Sequence, residues 1–137
     1  MKSSIIKSYL ETTYTVYSLG IEIVVGQQNE ILQKHLLSNN LKSWAFITAE
    51  NPRSQSYSDD LNKERNISLE NYLEENNYVF YSGLGVPRDT NWQAEKSYFI
   101  HNTTLERAIE IAIKYEQNAF VFGKQNELPD LIHGYLK

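Results

Sequence analysis

The loop over residues 49–55 carries the side chains best suited to hold a small polar ligand. Its sequence, AENPRSQ, places an amide, a guanidinium and a hydroxyl within a few residues of one another. Guanidinium and free backbone N–H groups bind phosphate or carboxylate because they direct several donors at one anion. We therefore expect Asn51, Arg53 and Ser54 to form part of a ligand site. The alternative is an ordinary turn ended by Pro52, with a surface arginine.

Three polar residues elsewhere in the chain extend this candidate site. Asn62, on the inner side of the helix predicted after the loop, either anchors the loop or contacts a ligand. Glu95 begins a predicted strand, where a buried carboxylate serves as a general acid or base or as a partner for Arg53. A solvated strand end is the simpler interpretation of Glu95. Gln117 precedes the last predicted strand, and no capping role explains it.

The sequence has no pattern typical of a metal centre, a cofactor site or a nucleophile. It contains no Cys, which excludes a thiolate zinc site, an iron–sulfur cluster and a Cys nucleophile. His35, His101 and His133 lack metal-ligand spacing, so we expect each to be a surface or packing residue. No phosphate-binding loop, dinucleotide fingerprint or nucleophile elbow occurs. We expect no metal and no cofactor.

Composition limits the class of protein. A chain of 137 residues with 41% hydrophobic residues is long enough for one domain with its own core, which we expect over residues 1–137. The net charge of −4 disfavours nucleic-acid binding, which needs a basic face. No apolar run is long enough to span a bilayer, and the start of the chain lacks the apolar stretch of a secretory signal. We expect a cytoplasmic protein without a membrane partner.

The elements that must position the candidate residues alternate between strands and helices. Alternating apolar residues and turn signals predict strands at residues 14–18, 21–25, 44–49, 78–84, 97–101 and 119–123. Capping residues and helical periodicity predict helices from Asn29 to about residue 40, from Ser58 to about Asn76, after the capping box Thr103-x-x-Glu106, and over Leu131–Leu136.

The order of these elements predicts an α+β fold. From Trp44 onward it reads strand, helix, strand, strand, helix, strand. This is the split βαβ order of ferredoxin-like domains, with an antiparallel sheet and two helices on one face. We expect this core over residues 44–124, extended by an N-terminal β-hairpin and helix over residues 10–40. A mixed sheet in another α+β arrangement is the alternative.

The segment WAFITAENPRSQSYSDDLNKERN resembles the signature of a bacterial family called domain of unknown function 3293. In that signature an aromatic-Ala-Phe-Ile-Thr-Ala strand leads into Asn-Pro-x-Ser and then a helix that carries an Asn. Further matches are Trp92-x-x-Glu95-x-Ser97, Gln117-Asn118-Ala119 and Thr13-Tyr14, so that the resemblance covers about residues 9–125. The family's activity is unknown, and the resemblance implies candidate positions without a reaction.

The chain departs from this family pattern at two places. The family has two adjacent acids where this chain reads Glu95-Lys96, which weakens the case for a paired-carboxylate site. It has Phe-Gly-Gln where this chain reads Tyr115-Glu116-Gln117.

The matched positions are mostly polar and adjoin predicted strand ends; they are Thr48, Asn51, Pro52, Ser54, Asn62, Glu95, Ser97 and Gln117. In a ferredoxin-like sheet the end of the first core strand lies beside the start of the third. We therefore expect Asn51 and Glu95 to meet. The resulting cluster is either a ligand pocket or a hydrogen-bond lock on a long loop.

Three functions fit these observations. The first is binding of a polar or phosphorylated small molecule by the residues Asn51, Arg53, Ser54, Asn62, Glu95 and Gln117. The second is a protein-interaction or regulatory module, with the Asn-Pro loop as a structural lock and an apolar patch near Tyr9, Tyr14 and Tyr17. The third is an enzyme that uses Glu95 as general acid or base, which requires a partly buried carboxyl with a raised pKa.

Overall fold

A seven-stranded antiparallel sheet organises the chain in the computed structural model, which describes residues 2–137. The strands are β1 (Thr12–Val16), β2 (Ile21–Ile23), β3 (Ser43–Ile47), β4 (Phe80–Pro87), β5 (Glu95–His101), β6 (Ala119–Lys124) and β7 (Asp130–His133). The α-helices of the described residues are α1 (Ser3–Leu10), α2 (Glu30–Ser38), α3 (Asp59–Glu75) and α4 (Leu105–Lys114).

The strand order across the sheet is β2-β1-β4-β5-β3-β6-β7. The expectation of a single α+β domain with an antiparallel sheet is confirmed. A ferredoxin-like domain is not confirmed, because three further strands belong to the same sheet: the β1–β2 hairpin beside β4, and β7 beside β6. Strand twist accumulates over seven strands, and the sheet curls into a half-barrel.

The curled sheet encloses α2. Trp44 and Phe46 of β3 point to this side together with Phe99 of β5. Leu32 and Leu36 of α2 are fully buried against them. Residues of the two outermost strands join the same apolar cluster, namely Ile21, Ile23 and Leu131. Next to these strands, the N–H of Gly26 donates to the carbonyl of Pro129 at 2.9 Å, which links the two ends of the sheet.

The opposite face of the sheet carries α3 and α4. Ala45 and Ile47 of β3 point to this side, as the alternation of residues 44–49 predicts. Their small and β-branched side chains leave room for Leu69 and Leu73 of α3 and for Ala112 of α4. Both faces of β3 are therefore buried, and the loop after β3 emerges between α3 and the sheet.

Several predicted elements need correction. Leu131–Leu136 is not a helix, because Asp130–His133 pairs with β6 as an edge strand. The cap of α4 is Thr104, whose hydroxyl accepts from the N–H of Arg107 at 3.1 Å, whereas Thr103 is fully buried. Helix α1 was not predicted from the sequence. None of the helices over residues 2–137 is both long and apolar enough to cross a membrane.

Candidate functional site

Asn51 and Asn62 fix the loop after β3 to helix α3. The N–H of Asn51 donates to Oδ1 of Asn62 at 2.9 Å, and Nδ2 of Asn62 donates back to Oδ1 of Asn51 at 3.0 Å. Oδ1 of Asn51 also accepts from the N–H of Tyr57 at 2.9 Å. Asn51 has a positive φ of 48°, a conformation that asparagine tolerates better than most residues. The predicted anchoring role of Asn62 thus has a direct structural basis.

Other side chains hold the backbone that leads into Asn51. Oδ1 of the buried Asn66 accepts from the N–H of Ala49 at 3.0 Å, and Nε of Arg65 donates to the Ala49 carbonyl at 2.6 Å. Nε2 of Gln117 donates to the carbonyl of Glu50 at 3.0 Å. Gln117 is buried and its amide group is used to hold the loop.

Arg53 and Ser54 contact the connection between α4 and β6. Nε of Arg53 lies 3.1 Å from Oε2 of Glu116, and Nη2 donates to the carbonyl of Lys137 at 3.1 Å. The Ser54 hydroxyl accepts from Nδ2 of Asn118 at 2.8 Å. Arg53 therefore has Glu116 as its carboxylate partner, and Glu95 does not serve in that role.

Glu95 meets Asn51, as expected from the sequence. Nδ2 of Asn51 donates to Oε2 of Glu95 at 2.8 Å. The pKa of Glu95 is raised to about 7, mainly by burial and also by the charge of Glu50, whereas the hydrogen bond from Asn51 opposes the rise. Within residues 2–137, no Lys, Arg or His nitrogen lies within ion-pair distance of Glu95.

A gap in the side-chain row lies next to Glu95. Tyr14 of β1 pairs with Gly85 of β4, and Gly85 pairs with Glu95 of β5, so the three residues share one face of the sheet. Because Gly85 has no side chain, nothing from β4 fills the row between the Tyr14 ring and the Glu95 carboxyl. A methyl group at position 85 would lie 3.7 Å from Thr12 and from the Tyr14 ring, which is ordinary contact.

Helix α1 brings Tyr9 to the same place. The Tyr14 hydroxyl donates to the carbonyl of Tyr9 at 2.8 Å. Burial and the charge of Glu95 raise the pKa of the Tyr9 phenol to about 12, while a hydrogen bond with Ser54 lowers it. We call this arrangement the Glu95 site and define it by Tyr9, Tyr14, Asn51, Gly85 and Glu95.

A second acid lies close to the Glu95 site. Oε2 of Glu50 accepts from Nδ2 of Asn66 at 2.9 Å and from the N–H of Lys96 at 3.1 Å. Burial raises its pKa, and the hydrogen bonds from Lys96 and Asn66 oppose the rise. Glu50 belongs to the loop after β3 and places its carboxylate against the backbone of Lys96. Sequence reasoning missed Glu50 although it lies inside the candidate loop.

An open cleft of about 500 Å³ lies on the α3 side of the same loop. Its lining includes Glu50, Asn62, Asn66 and Lys96. Of the six predicted site residues, only Asn62 borders it, and the acids and lysines along its rim give it no single charge preference.

Two of the three histidines form a pair that the sequence did not indicate. Nε2 of His35 on α2 lies 3.0 Å from Nε2 of His101 on β5. The ring centres are 5.1 Å apart, so the two nitrogens point at each other and share one N–H···N bond. They do not converge on a common ion, and the part of the chain that the structure describes holds no cluster of three candidate metal ligands.

The structure therefore divides the six predicted residues into two groups. Asn51, Asn62 and Glu95 form one continuous hydrogen-bonded chain. Arg53 and Gln117 support the loop from the α4–β6 side, and Ser54 lies between the two groups, bonded to Asn118 and beside Tyr9. Tyr9 and Gly85 were missed as site residues, because α1 was not predicted and the predicted strand ended at residue 84, whereas β4 continues to Pro87.

Comparison with known proteins places the chain in a family. No curated protein and no solved structure matches it. Residues 47–120 match the family described as "Protein of unknown function (DUF3293)". The match covers more than half of the chain and includes the Asn51 loop, α3, Glu95 and Gln117. The chain therefore belongs to this DUF3293 family of proteins of unknown function.

Proposed function

We propose that this protein binds a small polar molecule at the Glu95 site. The observation that carries the proposal is that the mostly buried Glu95 carboxyl has Asn51 as its donor and no cation beside it among residues 2–137. A buried carboxylate with so few partners is unfavourable. A ligand that donates hydrogen bonds to it would relieve that cost, and such a ligand would bind for this reason.

The surroundings favour a hydrogen-bond donor over a phosphorylated ligand. Glu95 and Glu50 both carry negative charge when ionised, and they would repel an anion. The guanidinium of Arg53 already contacts Glu116 and the Lys137 carbonyl. In this proposal Asn51, Ser54 and Glu95 face the ligand, Asn62 and Gln117 position the loop, and Arg53 ties the loop to the rest of the chain.

A second candidate function is acid–base catalysis by Glu95. A carboxyl with a pKa near 7 is present in both protonation states at neutral pH, which suits a group that gives and takes a proton. The two functions share one site, and turnover of a bound ligand would distinguish the second from the first.

The protein-interaction alternative has less support. It relied on an apolar patch near Tyr9, Tyr14 and Tyr17. Tyr14 is buried and Tyr9 is half-buried, whereas Tyr17 is 68% exposed. These three rings therefore do not present one continuous surface.

A ligand screen with matched variants tests the binding proposal. Thermal unfolding of the wild type would be followed against polyols, nucleosides, amines and phosphorylated metabolites. A ligand at 100 times its dissociation constant adds about 2.7 kcal/mol of stability. We expect a stabilising ligand whose effect disappears in Glu95→Gln and persists in Glu75→Gln, which removes an exposed carboxylate at the C-terminal end of α3. Ligand effects that persist in Glu95→Gln would refute the proposal.

A further inference from the structure

The chemistry around Glu95 narrows the class of ligand. This inference rests on the proposed binding function and goes one step beyond it. We propose that the ligand of the Glu95 site is an organic ammonium cation, with its charged head group against the Glu95 carboxylate and its carbon substituents over Gly85 and against the Tyr14 ring.

The charges that face Glu95 are negative or neutral. Asn51 from the loop after β3 contributes an amide, and Tyr9 from α1 and Tyr14 from β1 contribute phenols. The carboxylate of Glu50 acts on Glu95 by its charge from the cleft on the α3 side. The nearest lysine in sequence, Lys96, extends to the other face of the sheet, where its Nζ lies 5.8 Å from the centre of the Tyr98 ring. The site therefore attracts a cation and supplies none.

Aromatic rings border the same space. The Tyr14 ring lies 3.7 Å from the position of a methyl group on Gly85, and it packs edge to face on Phe46 with ring centres 5.3 Å apart. Ammonium groups bind well where aromatic faces and a carboxylate combine, because the ring quadrupole and the charge attract the same cation.

Gly85 opens the row of side chains beside Glu95. Tyr14 and Glu95 lie on strands separated by β4 alone, so their backbones are about 9–10 Å apart. Gly85 contributes no side chain to the row between them, and a methyl group there would make ordinary contacts with Thr12, Tyr14 and the Glu95 carbonyl. Tyr9 packs against the core from helix α1, which buries none of its residues completely.

Choline and its uncharged analogue 3,3-dimethylbutan-1-ol provide the test, because they differ in one charge and almost nothing in shape. Amide chemical shifts of the full chain would be titrated with each compound at matched ionic strength. We expect choline to shift the resonances of Gly85 and Glu95, with an affinity at least tenfold above that of the alcohol. Glu95→Gln should reduce the choline affinity by about tenfold or more, and Glu75→Gln, at the exposed C-terminal end of α3, should leave it unchanged.

Two further measurements sharpen the result. Gly85→Ala adds one methyl group within ordinary contact distance, so it should fold normally and weaken choline binding. The choline affinity of the wild type should rise from pH 6 to pH 8, because deprotonation of Glu95 creates the charge that the ammonium group binds.

The outcomes separate this inference from the function on which it rests. If the alcohol binds as tightly as choline and both need Glu95, the ammonium ligand is refuted while polar-ligand binding stands. If choline fails to bind and a neutral ligand from the screen binds in a Glu95-dependent manner, the ammonium ligand is again refuted while polar-ligand binding stands. If choline binds equally to the wild type and Glu95→Gln, and the screen gives no Glu95-dependent ligand, both proposals are refuted.

Discussion

Folding changes the preferred protonation state of Glu95 near neutral pH. Its pKa rises from an ordinary value of 4.5 to about 7, mainly because burial removes water from the carboxylate. Between these two values the folded state binds more protons than the unfolded state, so stability falls as pH rises through that range. The stabilising contribution is complete below pH 4.5 and is lost above pH 7.

Glu95→Gln should remove this pH dependence. Glutamine retains an oxygen that can accept from Nδ2 of Asn51 and carries no charge. We expect the variant to be more stable than the wild type at pH 8 by up to about 3 kcal/mol, and the two proteins to converge near pH 5. Urea unfolding at both pH values measures the difference. An equal difference at both pH values would mean that Glu95 is not a buried acid.

Asn62 should matter more to stability than an exposed asparagine of the same helix. Asn62→Ala leaves the N–H of Asn51 without its acceptor and frees the loop, so we expect a loss of about 2–3 kcal/mol in the free energy of unfolding. Asn76→Ala, at the exposed C-terminal end of α3, provides the control and should cost less than about 1 kcal/mol. Equal losses of unfolding free energy in the two variants would show that the hydrogen bonds between Asn62 and Asn51 do not hold the loop.

The sequence indicates the members of the site better than it indicates their partners. Asn51 and Glu95 could be paired in advance because they end and begin strands that a split βαβ order makes neighbours. The partners of Arg53 could not be predicted in this way. Glu116 lies in the α4–β6 connection and Lys137 is the final residue, and no local pattern places either of them next to Arg53. The position of Tyr9 beside Glu95 could not be predicted either, because α1 has only eight residues and no capping side chain.

At the scale of elements, β3 depends on close packing on both of its faces. Gly123 of β6 lies opposite Trp44, and a methyl group there would lie 2.6 Å from the indole ring. Neither the ring nor the neighbouring backbone can move far in a buried cluster. Glycine is therefore required at position 123 for a steric reason.

Gly123→Ala and Gly85→Ala should have different effects on stability. We expect the first to lower the free energy of unfolding by about 1–3 kcal/mol, the usual cost of overpacking a core. The second should change it by less than about 0.5 kcal/mol, as is usual for a substitution that meets only ordinary contacts. Urea denaturation of both variants measures these values, and a destabilised Gly85→Ala would contradict the gap described beside Tyr14.

Local patterns predicted the long elements and failed at the ends of the chain. The bounds of α3 follow from its own residues, because Ser58 caps it and Asn76 ends it. The residues of β7 are too few for their hydrophobic pattern to distinguish a strand from a helix. Pairing with β6 decides their conformation. The N-cap of α4 is Thr104 and not the predicted Thr103, because the side chain of Thr103 is buried in the core.

At the scale of the whole molecule, the His35–His101 pair ties α2 to the sheet that surrounds it. Burial and the neighbouring His35 lower the pKa of His101 from 6.5 to about 4. Here the unfolded state binds more protons, so the contribution is complete above pH 6.5 and is lost as pH falls towards 4. This slope has the opposite sign to that of Glu95.

His101→Phe should abolish the acid-induced loss. The ring would lie among Phe99, Tyr81 and His35, which already surround His101. From pH 7 to pH 4.5, the wild type should lose about 1–2 kcal/mol relative to the variant. Urea unfolding at the two pH values measures this difference, with Glu95→Gln as the background in both proteins to remove the opposing slope. If the unfolding free energies of the two proteins change equally between pH 7 and pH 4.5, the proposed contribution of His101 is wrong.

The strand order also sets the sequence in which the sheet can assemble. The central strand β3 pairs with β5 and β6, which lie about 50 to 80 positions further along the chain. Strand β1 likewise pairs with β4, which is synthesised much later. Only the β1–β2, β4–β5 and β6–β7 pairs are local. During synthesis the buried strand Ser43–Ile47 leaves the ribosome long before either of its neighbours. Folding of this domain should therefore be slow for its size, and the nascent chain should depend on the early β1–β2 hairpin and α2 to shield Trp44 and Phe46 from other chains.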